Sequence, residues 1–335
     1  MRIAVLGNGG FGTAMALTLE RAGHDVSLWG HDAAYTAQIA ASRENPRYLA
    51  GVKLPQPIQV GHDAAAALDG AGAVLVAVPT QHVRAVVAGM AERLGGEAPV
   101  VSLAKGLEQS TGKRPSEILA EVLGSPERVY VLSGPSHAEE IAHGQPTTVV
   151  VAGAEGDRLC ALQGALQTDR FRVYRNGDLL GVELCGALKN VMALAAGIAD
   201  GLGYGDNAKA AILSRGIVEM QRYGLACGAD PQTFFGLAGV GDLAVTAFSK
   251  HGRNRAFGER IGRGETLEQA LASSPKVAEG VWTAKVVGAA SRARGVEMPI
   301  ADAVTKVLYE GLPPAQAVRA LMERDPKAEG ASTSS

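Results

Sequence analysis

Over the first half of the chain, short runs of uninterrupted apolar residues alternate with stretches of helical period. The runs are RIAVLG, DVSLWG, PIQV, AVLVAVP, PVVSLAKG, VYVLSGP, TTVVVAG and FRVY. A strand covered on both faces has no polar side, so a run without alternation reads as an interior strand of a parallel sheet. Between several runs lie segments such as TAMALTLERAG and HVRAVVAGMAERLG, with apolar residues at helical spacing. This repetition predicts an α/β, doubly wound parallel sheet with right-handed crossovers.

From Asp178 the strand signals stop. DLLGVELCGALKNVMALAAGIADGL predicts a long, largely apolar helix, and NAKAAILSRGIVEMQRYGLACG a second, amphipathic one, with shorter helices continuing to about Arg324. The chain therefore divides into a sheet-containing domain, residues 1–180, and an all-helical domain, residues 181–325. Residues 326–335 are small and polar and read as a disordered tail. No low-complexity linker separates the two domains, so they are expected to pack together with a cleft between them.

Composition narrows the reading. The chain has 335 residues, of which 47% are hydrophobic and only 4% aromatic, which allows two cores built mainly from aliphatic side chains. A net charge of −2 favours neither nucleic acid nor an anionic membrane as a partner. Cys160, Cys185 and Cys227 are widely spaced and form no CxxC pair, which points to reduced thiols, no metal site and a cytoplasmic location. The opening MRIAVLG is too short an apolar run for a signal peptide. No stretch reaches the roughly 18 uninterrupted apolar residues of a membrane span, so no membrane insertion is expected.

VLGNGGFGTAMA places Gly7, Gly9 and Gly12 directly after a strand and at the opening of a helix. In that context Gly7 permits a tight turn, Gly9 lets the backbone approach a pyrophosphate, and Gly12 allows close helix–strand packing. This is the dinucleotide fingerprint of a Rossmann-type domain, which predicts NAD or NADP as cofactor. The choice between them stays open. Asp32 has the spacing of a ribose-binding acid, but it also suits an N-cap of the next helix; His31, Arg43 and Arg47 lie near enough in sequence to take a 2′-phosphate.

Ligands of such sheets bind beyond the carboxyl ends of the strands. Three polar tips fall there: Pro79-Thr80-Gln81, Lys105-Gly106 and Ser133-Gly134-Pro135-Ser136. Lys105 reads equally as a solvated loop residue, and Ser136 as a helix N-cap with Glu139 completing a capping box. Lys189 is harder to dismiss. Its helical neighbours Cys185, Gly186, Met192 and Ala193 include no carboxylate, and its helix is apolar nearly all round. It must snorkel, meet a distant carboxylate, or face a ligand cavity. Asp242, in a glycine-bounded turn, is a candidate partner. Gly252-Arg253-Asn254-Arg255 opens a later helix and suits a phosphate, though the arginines also fit a solvated basic face.

Taken together, GNGGFGTAMA, NPRYLAGVKLP, AVPTQHVR, SLAKGLE, SGPSHAEEIA, GVELCGALKNVMALAAGIADGLGYGDNAKAAI, GVGDLAVT, GRNRAFG and VAEGVWTA resemble the prokaryotic type of NAD(P)-dependent glycerol-3-phosphate dehydrogenase. They occur in family order over about residues 3–310, and the ALKN, GPS and RN-plus-FG combination is far more specific than the glycine fingerprint. The resemblance implies a Rossmann domain and an all-helical domain in a homodimer. It also implies reversible hydride transfer between dihydroxyacetone phosphate and sn-glycerol 3-phosphate, supplying phospholipid synthesis. It makes Lys189 the proton donor and acceptor. It places Lys105, Gly134, Ser136, Asp242, Gly252, Arg253 and Asn254 at the substrate, and Gly10, Phe11, His31, Lys105, Ala138, Arg253, Val277 and Glu279 near the cofactor. Gly252 stands where the family usually has serine, leaving only a backbone N–H for the substrate phosphate; Phe11 replaces a frequent tryptophan and His137 a frequent phenylalanine. Two rivals remain: a related two-domain hydroxy-acid dehydrogenase, which needs a carboxylate clamp, and a non-catalytic nucleotide sensor, which has no need of Lys189.

Overall fold

The computed structural model describes residues 1–249, 252–273, 278–326 and 328. In chain order the first half runs β1 (Arg2–Leu6), α1 (Gly10–Arg21), β2 (Asp25–Trp29), α2 (Ala33–Ser42), β3 (Glu44–Asn45), β4 (Leu49–Lys53), β5 (Gln59–Gly61), α3 (Ala64–Leu68), β6 (Ala73–Val76), α4 (Thr80–Ala88), β7 (Val100–Ser102), α5 (Pro115–Leu123), β8 (Val129–Ser133), α6 (Ala138–Ala142), β9 (Thr147–Ala152), α7 (Asp157–Leu166) and β10 (Phe171–Asn176). The second half holds α8 (Leu179–Gly201), α9 (Asp206–Ala226), α10 (Asp242–Phe248), α11 (Arg253–Gly262), α12 (Leu267–Ala272), α13 (Glu279–Ala293), α14 (Pro299–Tyr309) and α15 (Pro314–Met322).

Eight strands form one sheet in the order β10-β9-β8-β7-β6-β1-β2-β5. β1 pairs in parallel with β2 on one side and β6 on the other. The winding direction reverses there, which opens a crevice beyond the carboxyl ends of β1 and β6. Within β1, Ile3 and Val5 belong to the core on one face and Ala4 and Leu6 to the core on the other. Both faces are covered by helices, which is why the strand sequences do not alternate.

The sheet is not parallel throughout, as the alternating pattern had suggested. β9 runs antiparallel to β8, and β10 follows β9 in parallel. The cause is the connection. α6 has five residues and spans about 7.5 Å, whereas β8, also of five residues, is about 16 Å long. The chain therefore does not return to the amino edge, and the next strand starts at the carboxyl edge. A second departure is the β3–β4 hairpin, which no apolar run announced. It leans over the glycine loop: the Tyr48 carbonyl oxygen lies 2.9 Å from where a Cβ on Gly10 would stand.

α8 is the axis of the helical half, buried from Gly181 to Ala199. By length and composition it is apolar enough to cross a bilayer, yet 89% of its most apolar window is buried inside the protein. Glu183 fastens it to the start of α5, accepting hydrogen bonds from the Ser116 amide (2.8 Å), the Ser116 hydroxyl (2.5 Å) and Arg114 (2.9 Å). α11 touches α8 backbone to backbone. A Cβ on Gly197 would lie 2.0 Å from the Arg255 carbonyl oxygen, and one on Gly258 2.2 Å from that of Leu194. Only glycine allows that approach, and it sets the distance between the start of α11 and the middle of α8.

Candidate active site

The crevice is lined first by the glycine loop. Gly7 has φ +119°, outside the range of ordinary side chains. A Cβ on Gly7 would fall 2.6 Å from the Ala77 carbonyl oxygen, and one on Gly12 1.9 Å from that of Gly7. Both glycines are thus needed to pack α1 against the end of β6. Gly9 differs, because a Cβ there would meet no atom within 4 Å. Open space lies in front of α1, whose first turn has no side-chain cap. Unspent amides and the positive helix end facing an open cradle fit a pyrophosphate. Phe11 packs on the core beneath the loop, and the Ala138 Cβ lies 3.6 Å from the Cβ position of Gly10, so α6 forms one wall of the crevice. His31 is exposed, its ring edge-on to Trp29 with centroids 6.2 Å apart. Asp32 caps α2, accepting from the Tyr35 amide at 2.9 Å.

The centre of the site is one carboxylate between two ammonium groups. Asp242 Oδ2 accepts from Lys105 Nζ at 2.8 Å, and Asp242 Oδ1 from Lys189 Nζ at 2.8 Å. Lys105 spends its other two protons on the Gly134 carbonyl oxygen (2.9 Å) and the Ser136 hydroxyl (3.0 Å). Lys189 also donates to Thr246 Oγ1 at 2.6 Å, which leaves the third of its three protons for a ligand. Lys189 is 7% exposed and Asp242 2%. Burial penalises the Lys189 ammonium and Lys105 and Arg253 repel it; against the attraction of Asp242, its pKa comes down to about 8. Desolvation pushes Asp242 upward, but the two lysines outweigh it and hold the carboxyl below its usual range. His137, half-buried, is shifted down by burial and by the charge of Lys189.

Arg253, exposed at the start of α11, acts electrostatically on both Lys189 and Glu279. Lys105 and Lys189 together outweigh the single charge of Asp242, and Arg253 adds to the field at Lys189, a balance suited to an anionic phosphate ligand. Asn254 is buried and bridges three helices: Nδ2 donates to Asn190 Oδ1 (2.9 Å), and Oδ1 accepts from the Gly280 amide (2.9 Å). Asn190 in turn donates to the Lys105 carbonyl oxygen at 2.8 Å. The Gly252 N–H, expected to face a phosphate, instead donates to the Ser249 carbonyl oxygen at 3.3 Å. The first unspent amides of α11 are therefore those of Arg253 and Asn254. A Cβ on Gly252 would lie 3.0 Å from the Thr246 carbonyl oxygen, so a serine there requires a small shift of the loop.

Glu279 opens α13 and reaches across to the sheet domain, where Oε1 accepts from the Thr80 amide at 2.9 Å. Burial raises its pKa against that hydrogen bond and the pull of Arg253. Gly106 makes room for it, since a Cβ there would lie 2.6 Å from Glu279 Oε2. Val277 lies outside the described residues.

Two readings are corrected. Ser136 is not an N-cap: His137 holds that position on α6, and the Ser136 hydroxyl donates to Gly134 O (2.8 Å) while accepting from Lys105. Lys105 is not a solvated loop lysine, because all three of its protons are spent inside the site. One participant was overlooked. Thr246 sits one turn after Asp242 on α10, and that i, i+4 spacing is the signal that would have found it.

Comparison with known proteins agrees with this geometry. Residues 2–158 match the family model described as NAD-dependent glycerol-3-phosphate dehydrogenase N-terminus, and residues 178–319 match its C-terminus. A protein of Chlorobium limicola named glycerol-3-phosphate dehydrogenase (NAD(P)+) is 48% identical, over 98% of this chain and 99% of its own. One of the same name from Geobacillus kaustophilus is also 48% identical, over 98% and 96%. The crystal structure of glycerol-3-phosphate dehydrogenase from Coxiella burnetii superposes with a TM-score of 0.91 at 37% identity, covering 96% of this chain and 99% of that one. With both halves of the chain matched and the glycine loop and lysine cluster in place, this chain belongs to the NAD-dependent glycerol-3-phosphate dehydrogenase family.

Proposed function

We propose that the chain interconverts dihydroxyacetone phosphate and sn-glycerol 3-phosphate, with Lys189 moving the proton at the C2 oxygen. When bound, NAD(P) supplies or takes up the hydride at C2. Lys189 points its third N–H at the substrate oxygen, and its charge stabilises the alkoxide that develops there in a water-poor site. With a pKa of about 8 it gives up and recovers a proton near neutral pH. Asp242 and Thr246 aim the ammonium group, and Lys105 fixes Asp242. Arg253 and the first amides of α11 hold the phosphate, with Asn254 locking that helix to α8 and α13. Gly9 and the first amides of α1 would cradle the pyrophosphate, with Gly7 and Gly12 packing α1 against β6 and Gly10, Phe11 and Ala138 beside the cradle, while Glu279 braces α13 against the sheet domain.

The observation that carries this reading is the unspent proton of a buried, acid-shifted lysine beside an open glycine loop. On the same reading, residues 1–180 bind cofactor and residues 181–325 close over substrate. The protein works as a cytoplasmic homodimer and feeds phospholipid synthesis. The test is NADH oxidation with dihydroxyacetone phosphate, unphosphorylated dihydroxyacetone, or keto acids as substrate. Turnover confined to the phosphorylated ketone supports the reading. Preference for a keto acid indicates a hydroxy-acid dehydrogenase, and binding without turnover indicates a sensor. Lys189→Ala should lower kcat by about 100-fold or more while coenzyme still binds; near-normal turnover refutes the role of Lys189.

A further inference from the structure

We propose that Arg47 reads the 2′-phosphate of NADP and that Asp32, its neighbour, reads the 2′-hydroxyl of NAD, so that this one pair sets coenzyme preference. The inference rests on the cofactor reading of the glycine loop.

The adenosine ribose of a bound dinucleotide lies beyond the carboxyl end of β2. Asp32 stands there with one oxygen committed: Oδ1 caps α2 through the Tyr35 amide. Oδ2 is left for a donor, and a ribose hydroxyl is such a donor. A 2′-phosphate in the same place meets a carboxylate of its own sign and needs a cation to outweigh it.

Three basic side chains are near in sequence, and the structure separates them. Arg43 is closed to ligands, because its guanidinium donates to the carbonyl oxygens of Leu54, Pro55 and Ile58. His31 is exposed with its ring edge-on to Trp29; it can offer a phosphate a ring N–H but not the two-pronged fork of an arginine. Arg47 is open and poised. Its NH1 lies 3.9 Å from Asp32 Oδ2, with the two side chains 55% and 54% exposed. That separation is too long for a hydrogen bond, so the pair attracts without spending donors, and the flat guanidinium fork suits a phosphate.

Arg47 is also held in place. Its guanidinium carbon lies 4.1 Å from the centre of the Tyr35 ring, and its backbone N–H donates to the Tyr35 hydroxyl at 3.0 Å. That hydroxyl donates to Asn45 Oδ1 at 2.5 Å. Asn45 Nδ2 then donates to the Asn8 carbonyl oxygen and to Thr13 Oγ1, both at 2.8 Å. The β3–β4 turn that carries Arg47 is thereby tied to the glycine loop and α1, and the guanidinium keeps a set position relative to a bound pyrophosphate. With NADP the phosphate becomes the partner of the Arg47 guanidinium in place of Asp32; with NAD the two stay paired beside the hydroxyl.

The test is the dissociation constant of NADPH and of NADH, each titrated calorimetrically against the full chain. Arg47→Gln should lower the ratio of NADPH to NADH affinity about tenfold or more. Arg47→Lys, which keeps the charge without the fork, should recover part of the loss. Asp32→Asn keeps a good helix cap but removes the opposing charge, and should raise the ratio several-fold. An unchanged ratio in Arg47→Gln, or equal weakening of both coenzymes, overturns the proposal and makes Arg47 a brace of the hairpin. Failure of the unmodified chain to bind either coenzyme overturns the cofactor reading itself.

Discussion

Replacing Asp242 by asparagine tests the centre of the site. The substitution keeps the shape but removes the negative charge that holds a proton on Lys189. Both lysines lie 2.8 Å from its oxygens, and the group is 2% exposed. With about 4 Å between charge centres and the effective dielectric of protein sites, one such charge is worth about 4 kcal/mol, or about three pKa units on a neighbour. What remains on Lys189 is burial and the repulsion of Lys105 and Arg253, all of which act against the charged form. Reduction of the ketone needs a protonated lysine. In the parent enzyme it should therefore fall as pH rises through about 8. In Asp242→Asn the same fall should come at least about two pH units lower, allowing for partial screening by the remaining dipoles. At pH 7 kcat/KM for reduction should then drop by roughly 10-fold. The assay is the pH profile of kcat/KM for ketone and for alcohol at saturating coenzyme, which reports the lysine before substrate binds. Oxidation, which needs neutral lysine, should show its rising limb displaced to lower pH by the same amount. Loss of one partner from a buried ion pair also costs about 3–5 kcal/mol of stability, so amplitude alone is a poor readout. The midpoint does not depend on how much protein is folded. A profile that stays where it was refutes the claim that Asp242 tunes Lys189.

Arg253→Ala should raise KM for dihydroxyacetone phosphate about tenfold or more with a smaller change in kcat; initial-rate kinetics show whether phosphate binds at α11. Gly258→Ala places a Cβ 2.2 Å from the Leu194 carbonyl oxygen, which should cost about 1–3 kcal/mol and lower Tm by several degrees. An unchanged melting curve would mean that α8 and α11 part freely. Glu219 accepts from the amides of Ile300 (2.8 Å) and Ala301 (3.2 Å), and burial pushes it up from 4.5 to about 7. A carboxyl raised on folding binds more protons in the folded state, so its contribution is full below pH 4.5 and is lost as pH rises through 7. Thermal melts of Glu219→Gln should show a flatter pH dependence across that window.

The strands and the glycine loop are legible because their causes are local. A strand with both faces covered writes itself as an apolar run, and a strand followed by glycines and a helix writes itself as a phosphate cradle. The reversed pair β9 and β10 is illegible for the opposite reason. Its direction depends on how far α6 carries the chain, and SHAEEIAHGQP does not show where that helix stops. The β3–β4 hairpin is hidden because much of it is solvent-exposed. It is held by Asn45, whose partners Asn8, Thr13 and Tyr35 come from three separate segments.

The site divides along the same line. That Lys189 lacked a partner on its own helix was readable from spacing; that its partner is Asp242, 53 residues later, was not. No periodicity relates them, because their meeting depends on how α10 packs on α8. Ser136 shows how a local rule misleads. Its sequence fits a capping box, but a capping hydroxyl gains one neutral hydrogen bond, whereas contact with Lys105 gains a charge-assisted one. The stronger partner came from another strand tip, and the helix began one residue later without a side-chain cap. Where a charged group is drawn into a site from a distant segment, it outbids the local motif, and residues that break their local rule mark where such a group has arrived.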